Sequence, residues 1–434
     1  MNKVKDLSEN VKEKRDEIID LCRKLVAIPS VAGEEGECQR FIADRLSRLG
    51  LELDLWEPDS VKLRGHPAYS SVELCEDTKL HTYKDRPNVV ATLKGKAKGK
   101  SLILNGHVDV VPTGPTEMWT HNPWGGEIEN GRLYGRGAVD MKGGLAAIMI
   151  AVEVLVETDI QLSGDLTIES VVDEEPGGNG TLACLLRGYE ADAAIFTEPS
   201  QLFGQGAIGI ASKGANQYRI RVRGRSGHIT GGRLSKEYVS AIDEAVKVLQ
   251  AIKNFNSIRQ SESIDLNPPY YSPNLEKGMI GVGKMKCGDW FSMMPNLCEI
   301  EGALECYPGE DLENTKKKFQ DYIQAFARLD PWMKDNPPEV EFFGLHIVPA
   351  KIRPNEPIVL TLSRWIKRIL NVDAHVFGFP AGSDQRIFTE HAGIPAVHFG
   401  PSGGGIHVAD EYVNVGDLVD LTNILANTIA DWCL

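Results

Sequence analysis

The sequence predicts an α/β protein in which a second, smaller domain interrupts the first. Three observations carry this expectation. Short apolar runs of strand length alternate with amphipathic helical stretches, the pattern of a sheet covered on both faces. The chain has 434 residues, more than one hydrophobic core usually supports. Near Gly209 the pattern changes to strands in which apolar and polar residues alternate, which suits an antiparallel sheet with one wet face.

Taken in order, Val11, Ile18, Leu21, Leu25 and Ile28 recur at helical spacing over residues 7–28, and Pro29 stops the helix. A second helix over about 37–49 closes at Gly50, and 51–56 reads as a strand. Residues 57–87 show no period and are expected to decorate the surface. Strands at 88–93 and 101–104 precede a turn-rich stretch over 113–137. A helix follows with Leu145, Ile148, Met149, Val152, Leu155 and Val156 on a wide apolar face. Further short strands are expected at 166–172 and 193–196.

Beyond residue 209, Tyr218, Ile220 and Val222 alternate with Arg219, Arg221 and Arg223. A helix follows with Tyr238, Ile242, Ala245, Leu249 and Ile252 on one side, then strands at 278–286 and 297–306. A helix with Phe319, Tyr322, Ile323 and Phe326 leads to a strand at 340–343. The order β-α-β-β-α-β is that of the ferredoxin-like split unit, here an inserted domain over 209–346. Residues 349–357 return the chain. A helix with Ile358, Leu362, Trp365 and Ile369, a strand at 396–399 and a helix over 418–432 complete the larger domain, 1–208 with 347–434.

Composition excludes several classes of function. At 42% hydrophobic and 25% charged, the chain is ordinary for a soluble globular protein. A formal net charge of −14 argues against nucleic acid or an anionic membrane as partner. The N-terminus M-N-K-V-K-D-L-S-E-N-V-K-E-K-R-D-E is too charged for a signal peptide, and no run approaches membrane-spanning length. Cysteines at 22, 38, 75, 184, 287, 298, 306 and 433 include no C-x-x-C pair. That is the usage of reduced, mostly buried thiols in a cytoplasmic protein. Candidate metal ligands are therefore histidines and carboxylates.

These gather at strand ends. The apolar strand S-L-I-L-N-G runs into His107-Val-Asp109, whose i and i+2 side chains leave on one side. One imidazole can bind an ion while the neighbouring carboxylate orients its ring. Asp140 lies in G-R-L-Y-G-R-G-A-V-D-M-K-G-G ahead of a helix, and Glu174 and Glu175 follow L-T-I-E-S-V-V-D. Glu198 follows A-A-I-F-T, and His407 lies in G-P-S-G-G-G-I-H just past A-V-H-F. Each alone reads equally as a turn charge, a helix cap or a structural histidine. Together they occupy the place where open α/β sheets bind ligands, outside the carboxyl ends of strands. Two histidines with three carboxylates suit two divalent ions with one carboxylate bridging. This donor set favours zinc, with cobalt or manganese as substitutes. A spare glutamate beside the ligands serves as general base toward water, and Glu174 and Glu175 can divide the two roles.

H107-x-D109, the G-R-G-A-V-D140-M-K-G-G block, E174-E175, Glu198 and His407 resemble the two-zinc family of aminoacylase, acetylornithine deacetylase, succinyl-diaminopimelate desuccinylase and glutamate carboxypeptidase. The resemblance runs from about residue 10 to the end. It implies a zinc-peptidase-like catalytic domain with a mixed central sheet, and an inserted lid that also mediates homodimerisation. It also implies that His107 and Glu198 bind one zinc and Glu175 and His407 the other. Asp140 then bridges, Asp109 steadies His107, and Glu174 activates the water. G-R-S-G-H228-I-T resembles the lid motif whose histidine contacts the substrate carbonyl oxygen, in dimeric relatives at the partner's site. G-S-D-Q-R, spanning Gly382, Ser383, Asp384 and Arg386, resembles the substrate-cradling loop and reads equally as a helix N-terminus capped by Asp384.

The chain departs from the family on the lid. Many relatives carry an Asn three residues before the lid proline and an Arg on the next strand, both gripping a substrate carboxylate. Here Ser292 and Glu305 stand in those places. A carboxylate in place of a guanidinium repels a substrate carboxylate. The expectation is a substrate without a free α-carboxylate, such as an N-acylated diamine or an N-formyl aminopyrimidine. Glu299, Glu301 and Glu305 also alternate on one strand face, which reads equally as a solvated acidic edge. The leading reading is a deacetylase- or desuccinylase-like amidohydrolase acting on a small N-acylated amino acid or amine. The alternatives are a dipeptidase or carboxypeptidase and a deformylase of the same family. A non-catalytic binding homologue is disfavoured because the base and all the ligands are present.

Overall fold

In the computed structural model, which describes residues 2–72, 78–230, 238–261 and 280–434, the chain divides into two units. Met1–Ser212, Lys351–Phe379 and Ser383–Leu434 form one, and Lys213–Ala350 with Pro380–Gly382 the other. The first boundary lies past residue 208 because Ala207–Ser212 is a fully buried strand of the larger sheet. It pairs parallel with His375–Phe379. Gly214–Arg223 then opens the second sheet.

The larger sheet is mixed. Glu52–Trp56, Asn88–Leu93 and Leu166–Val171 run antiparallel in turn. Leu166–Val171, Leu102–His107, Ala194–Phe196 and Ala396–His398 are then parallel neighbours. The parallel strands are buried along their whole length, as strands covered on both faces must be. Gly143–Glu157 is buried nearly all round rather than on one face and packs against the terminal helix Val415–Cys433. Its buried acid, Glu153, is 8% exposed and meets Lys14 at 2.8 Å and Arg45 at 2.7 Å.

Three expectations are corrected here. The helix expected over 7–28 is two helices, Asn2–Glu13 and Arg15–Ala27, broken at Lys14. The Lys14 ammonium leaves the helix line to reach Glu17, Glu153 and Glu157. Residues 57–87 are more than surface decoration. Leu63, Ala68, Ser70, Tyr83 and Arg86 within them are buried, and residues 73–77 lie outside the described residues. Free thiols are found at Cys22, Cys38, Cys184, Cys306 and Cys433, all buried, but Cys287 and Cys298 face each other on adjacent strands and are disulfide-bonded. Cys75 lies outside the described residues.

The second unit has the predicted order β-α-β-β-α-β. Its strands are arranged Ile280–Cys287, Leu297–Cys306, Gly214–Arg223, Glu339–Ile347, all antiparallel. Tyr218, Ile220, Val222, Ile300 and Leu304 form a core with Val248, Ile252, Phe319 and Ile323 from the two helices. The first of these, Ala241–Ser261, buries Ala241, Ala245, Val248, Ile252 and Phe255. The expected face was rotated: Tyr238 precedes the helix and Ile242 is exposed. On the opposite sheet face the glutamates are paired, not a solvated edge. Arg219 meets Glu301, Arg221 meets Glu299, and Arg223 meets Glu339.

Candidate metal centre

His107 ends its strand, and Glu174 and Glu198 lie just past the ends of the two parallel strands beside it. Gly106, one residue earlier, lets the Leu145 and Met141 side chains pack close, where a Cβ would come within 2.8 Å of Leu145 Cδ2. His107 Nδ1 lies 2.9 Å from the carbonyl oxygen of Asp109. A carbonyl only accepts, so Nδ1 carries the proton and the Nε2 lone pair is left facing the cluster. Nε2 stands 3.1 Å from Asp140 Oδ1, 3.4 Å from Glu198 Oε1 and 4.0 Å from Glu174 Oε2.

The other oxygen of Asp140 turns the opposite way. Oδ2 lies 3.4 Å from His407 Nε2, which also lies 3.1 Å from Glu175. One carboxylate thus stands between two imidazoles, each with a further glutamate of its own. His107 is grouped with Glu174 and Glu198, and again with Asp140 and Glu175, with ligand atoms within 4.8 Å of one another.

The electrostatics are those of too many buried carboxylates. Burial raises Glu174 well above the usual range, helped by Asp384 and Glu198. Burial and Asp140 push Glu198 up to about 7. Burial opposes charge on His107, but Asp140 and Glu198 outweigh it and raise its pKa. Asp140 and Glu175 push His407 up to about 10. Asp140 itself is held low by the two imidazoles against its burial. Such a donor set fits divalent cations, which relieve the repulsion among the acids.

Asp109 is placed beside the cluster and meets His107 through its carbonyl. Its carboxylate stands 3.7 Å from His107 Nδ1, beyond hydrogen-bonding distance. It accepts instead the backbone N–H groups of Glu174 at 3.2 Å and Glu175 at 3.0 Å. Asp140 is held through its backbone. Glu411 accepts the N–H groups of Val139 and Asp140, both at 3.2 Å, and pairs at 2.6 Å with buried Arg136. Sequence reading missed Glu411. Its only signal was an acid four residues beyond His407 in the same loop.

The remaining candidates separate. Ser383, Asp384 and Arg386 are all at most 2% exposed. Ser383 Oγ lies 2.7 Å from His398 Nε2, Asp384 accepts from Thr181 Oγ1 at 2.6 Å, and Arg386 donates to Gly177 O at 2.7 Å. Their polar groups face inward, and Arg386 reaches the loop that carries Glu174 and Glu175 through Gly177. Gly382 belongs to the inserted unit, against Ile347. His228 and Ser292 are neighbours there: His228 pairs with Met293, and Ile229 N donates to Ser292 O at 3.0 Å. Glu305 pairs at 2.9 Å with Lys213, a cation that the sequence reading did not single out.

The sequence profile of peptidase family M20/M25/M40 matches residues 103–431. N-formyl-4-amino-5-aminomethyl-2-methylpyrimidine deformylase of Bacillus subtilis is 30% identical over 98% of this chain and 97% of that protein. Succinyl-diaminopimelate desuccinylase of Thioalkalivibrio sulfidiphilus is 28% identical over 94% of this chain and 96% of its own length. An M20 family metallo-carboxypeptidase of Sulfolobus solfataricus shares the fold, with a TM-score of 0.74 at 17% identity over 95% of this chain and 98% of that one. Enzymes of this family bind divalent metal ions, and the His and carboxylate cluster offers ligand atoms for one. The chain belongs to peptidase family M20/M25/M40 and is a hydrolase of that family.

Proposed function

We propose that the chain is a two-metal amidohydrolase that removes a small N-acyl group, formyl foremost, from an amine without a free α-carboxylate. The observation that carries the reading is Asp140, whose two oxygens face two different imidazoles. Two ions also balance charge. Asp140, Glu174, Glu175 and Glu198 bring four negative charges, and the two histidines bind as neutral ligands. His107 and Glu198 would hold one ion and Glu175 and His407 the other, with an Asp140 oxygen facing each side. The donor set favours zinc, with cobalt or manganese as substitutes.

When bound, the ions supply Lewis acidity to a water and to the amide carbonyl. Glu174 takes the proton from that water as its oxygen adds to the carbonyl carbon. It then gives the proton to the amine nitrogen as the C–N bond breaks, leaving a carboxylic acid and a free amine. Asp109 holds the Glu174 backbone during both transfers. His228 donates to the carbonyl oxygen, a role supported by its motif G-R-S-G-H-I-T.

Formyl aminopyrimidine chemistry is supported by full-length similarity to the Bacillus subtilis deformylase. Glu305 in place of a carboxylate-gripping Arg, with Ser292 in place of Asn, points the same way, with Lys213 meeting the Glu305 charge at 2.9 Å. We also propose a homodimer through the inserted unit, supported by exposed Ile242, Val246, Trp290, Phe291 and Met293 there. No helix among the described residues is long and apolar enough to cross a membrane. Five buried free cysteines support a cytoplasmic location, and the Cys287–Cys298 disulfide stands against it. The test is a hydrolysis screen of the zinc-loaded protein against N-formyl, N-acetyl and N-succinyl amines and dipeptides. An N-formyl aminopyrimidine is expected to turn over fastest; turnover of dipeptides alone would overturn the reading.

A further inference from the structure

The loop that carries Glu174 and Glu175 is pinned from a side the mechanism does not use. Asn88 accepts Val172 N at 3.1 Å and donates to Gly180 O at 2.8 Å, tying both ends of the loop. Asp173, next to Glu174, is fully buried and has φ of 65°, in the left-handed region. Aspartate tolerates that conformation but does not demand it. Here its carboxylate accepts from Arg86 Nη2 at 2.9 Å, Tyr83 OH at 2.7 Å and Asn179 Nδ2 at 3.0 Å. Arg86 also binds Glu35 with two parallel bonds of 2.7 Å and Thr82 O at 3.0 Å.

We propose that Arg86 and Tyr83 are positioning residues for hydrolysis, holding Asp173 in its left-handed turn so that Glu174 and Glu175 diverge toward their separate tasks. A buried ion cluster contributes little net stability over apolar packing of the same volume, so its value here is geometric. The turn presents both Glu174 N and Glu175 N to Asp109. It also sends the Glu174 carboxylate toward His107 and the Glu175 carboxylate toward His407. Tyr83 and Arg86, from a stretch without a period of its own, thereby supply the scaffold behind the base. The inference rests on the reading of Glu174 as general base.

The test uses Tyr83→Phe, which deletes one hydrogen bond at constant ring volume, and Arg86→Lys, which keeps the charge but loses the fork. With the fastest substrate of the screen above, kcat is expected to fall about tenfold in Tyr83→Phe and about 100-fold in Arg86→Lys, with KM and bound metal within about twofold of wild type. A purely structural role would lower the melting temperature and leave kcat unchanged, and that result overturns the proposal. If Arg86→Lys does not fold, Tyr83→Phe alone decides. Glu174→Gln in the same assay separates the two readings. A fully active Glu174→Gln overturns the base assignment itself. An inactive Glu174→Gln beside a Tyr83→Phe with wild-type kcat overturns the clamp alone.

Discussion

The Asp109 carboxylate accepts the backbone N–H of Glu175 at 3.0 Å while the Asp109 carbonyl accepts the His107 imidazole at 2.9 Å. One residue therefore sets the histidine tautomer with its main chain and the base loop with its side chain. Asp109→Asn offers one acceptor oxygen in place of two and leaves a loop N–H unpaired, at about 1–3 kcal/mol. The expected result is a lower melting temperature and a kcat reduced about tenfold, with both metals retained. An Asp109→Asn whose one defect is weaker metal binding would return the side chain to the imidazole.

Buried Glu169 makes stability depend on pH. Its Oε2 accepts from Asn105 at 2.9 Å, and burial pushes its carboxyl from 4.5 up to about 8. Between those values the folded chain keeps a proton that the unfolded chain releases. The contribution is complete below about pH 4.5 and lost as pH rises to about 8, each unit being about 1.4 kcal/mol. Glu169→Gln stays neutral at every pH. Denaturant unfolding at pH 5 and pH 9 should show the variant gaining on wild type as pH rises, and a constant difference contradicts this account.

The fold was legible where local pattern and tertiary context agree. The buried parallel strands and the split β-α-β-β-α-β unit follow from apolar periodicity, and strand ends located the ligands. What could not be read depends on partners distant in sequence. Ile242 looked like a core residue, but packing chose the Ala241–Ala245–Val248 face instead. Residues 57–87 have no period because Ser70, Tyr83 and Arg86 are buried by polar bonding rather than by apolar contact. Glu411 and Lys213 were likewise invisible, since Arg136 and Glu305 lie 275 and 92 positions away.

Lys213 and Glu305 form an ion pair at 2.9 Å. Lys213 is 5% exposed and lies over the Tyr307 ring. Glu305→Ala leaves that buried cation without its glutamate, a change that favours an anionic substrate. Wild type is expected to prefer the carboxamide of N-acetylornithine to the free acid, and Glu305→Ala to shift the ratio toward the acid about tenfold. A strong wild-type preference for the acid would sink the idea.

Association is testable by mass in solution. Ile242 is 42% and Phe291 83% exposed, and sedimentation of wild type should give twice the chain mass of 47.7 kDa. Ile242→Glu with Phe291→Glu places charge on this patch and should yield the single-chain mass. A wild-type monomer contradicts the dimer.

The most direct test of the metal-assisted mechanism is turnover by Glu174→Gln with its metal content measured on the same sample. Two divalent ions per chain are expected to remain, while hydrolysis of the N-formyl substrate falls about 100- to 10,000-fold. A Glu174→Gln protein that holds both ions and hydrolyses at the wild-type rate would contradict it.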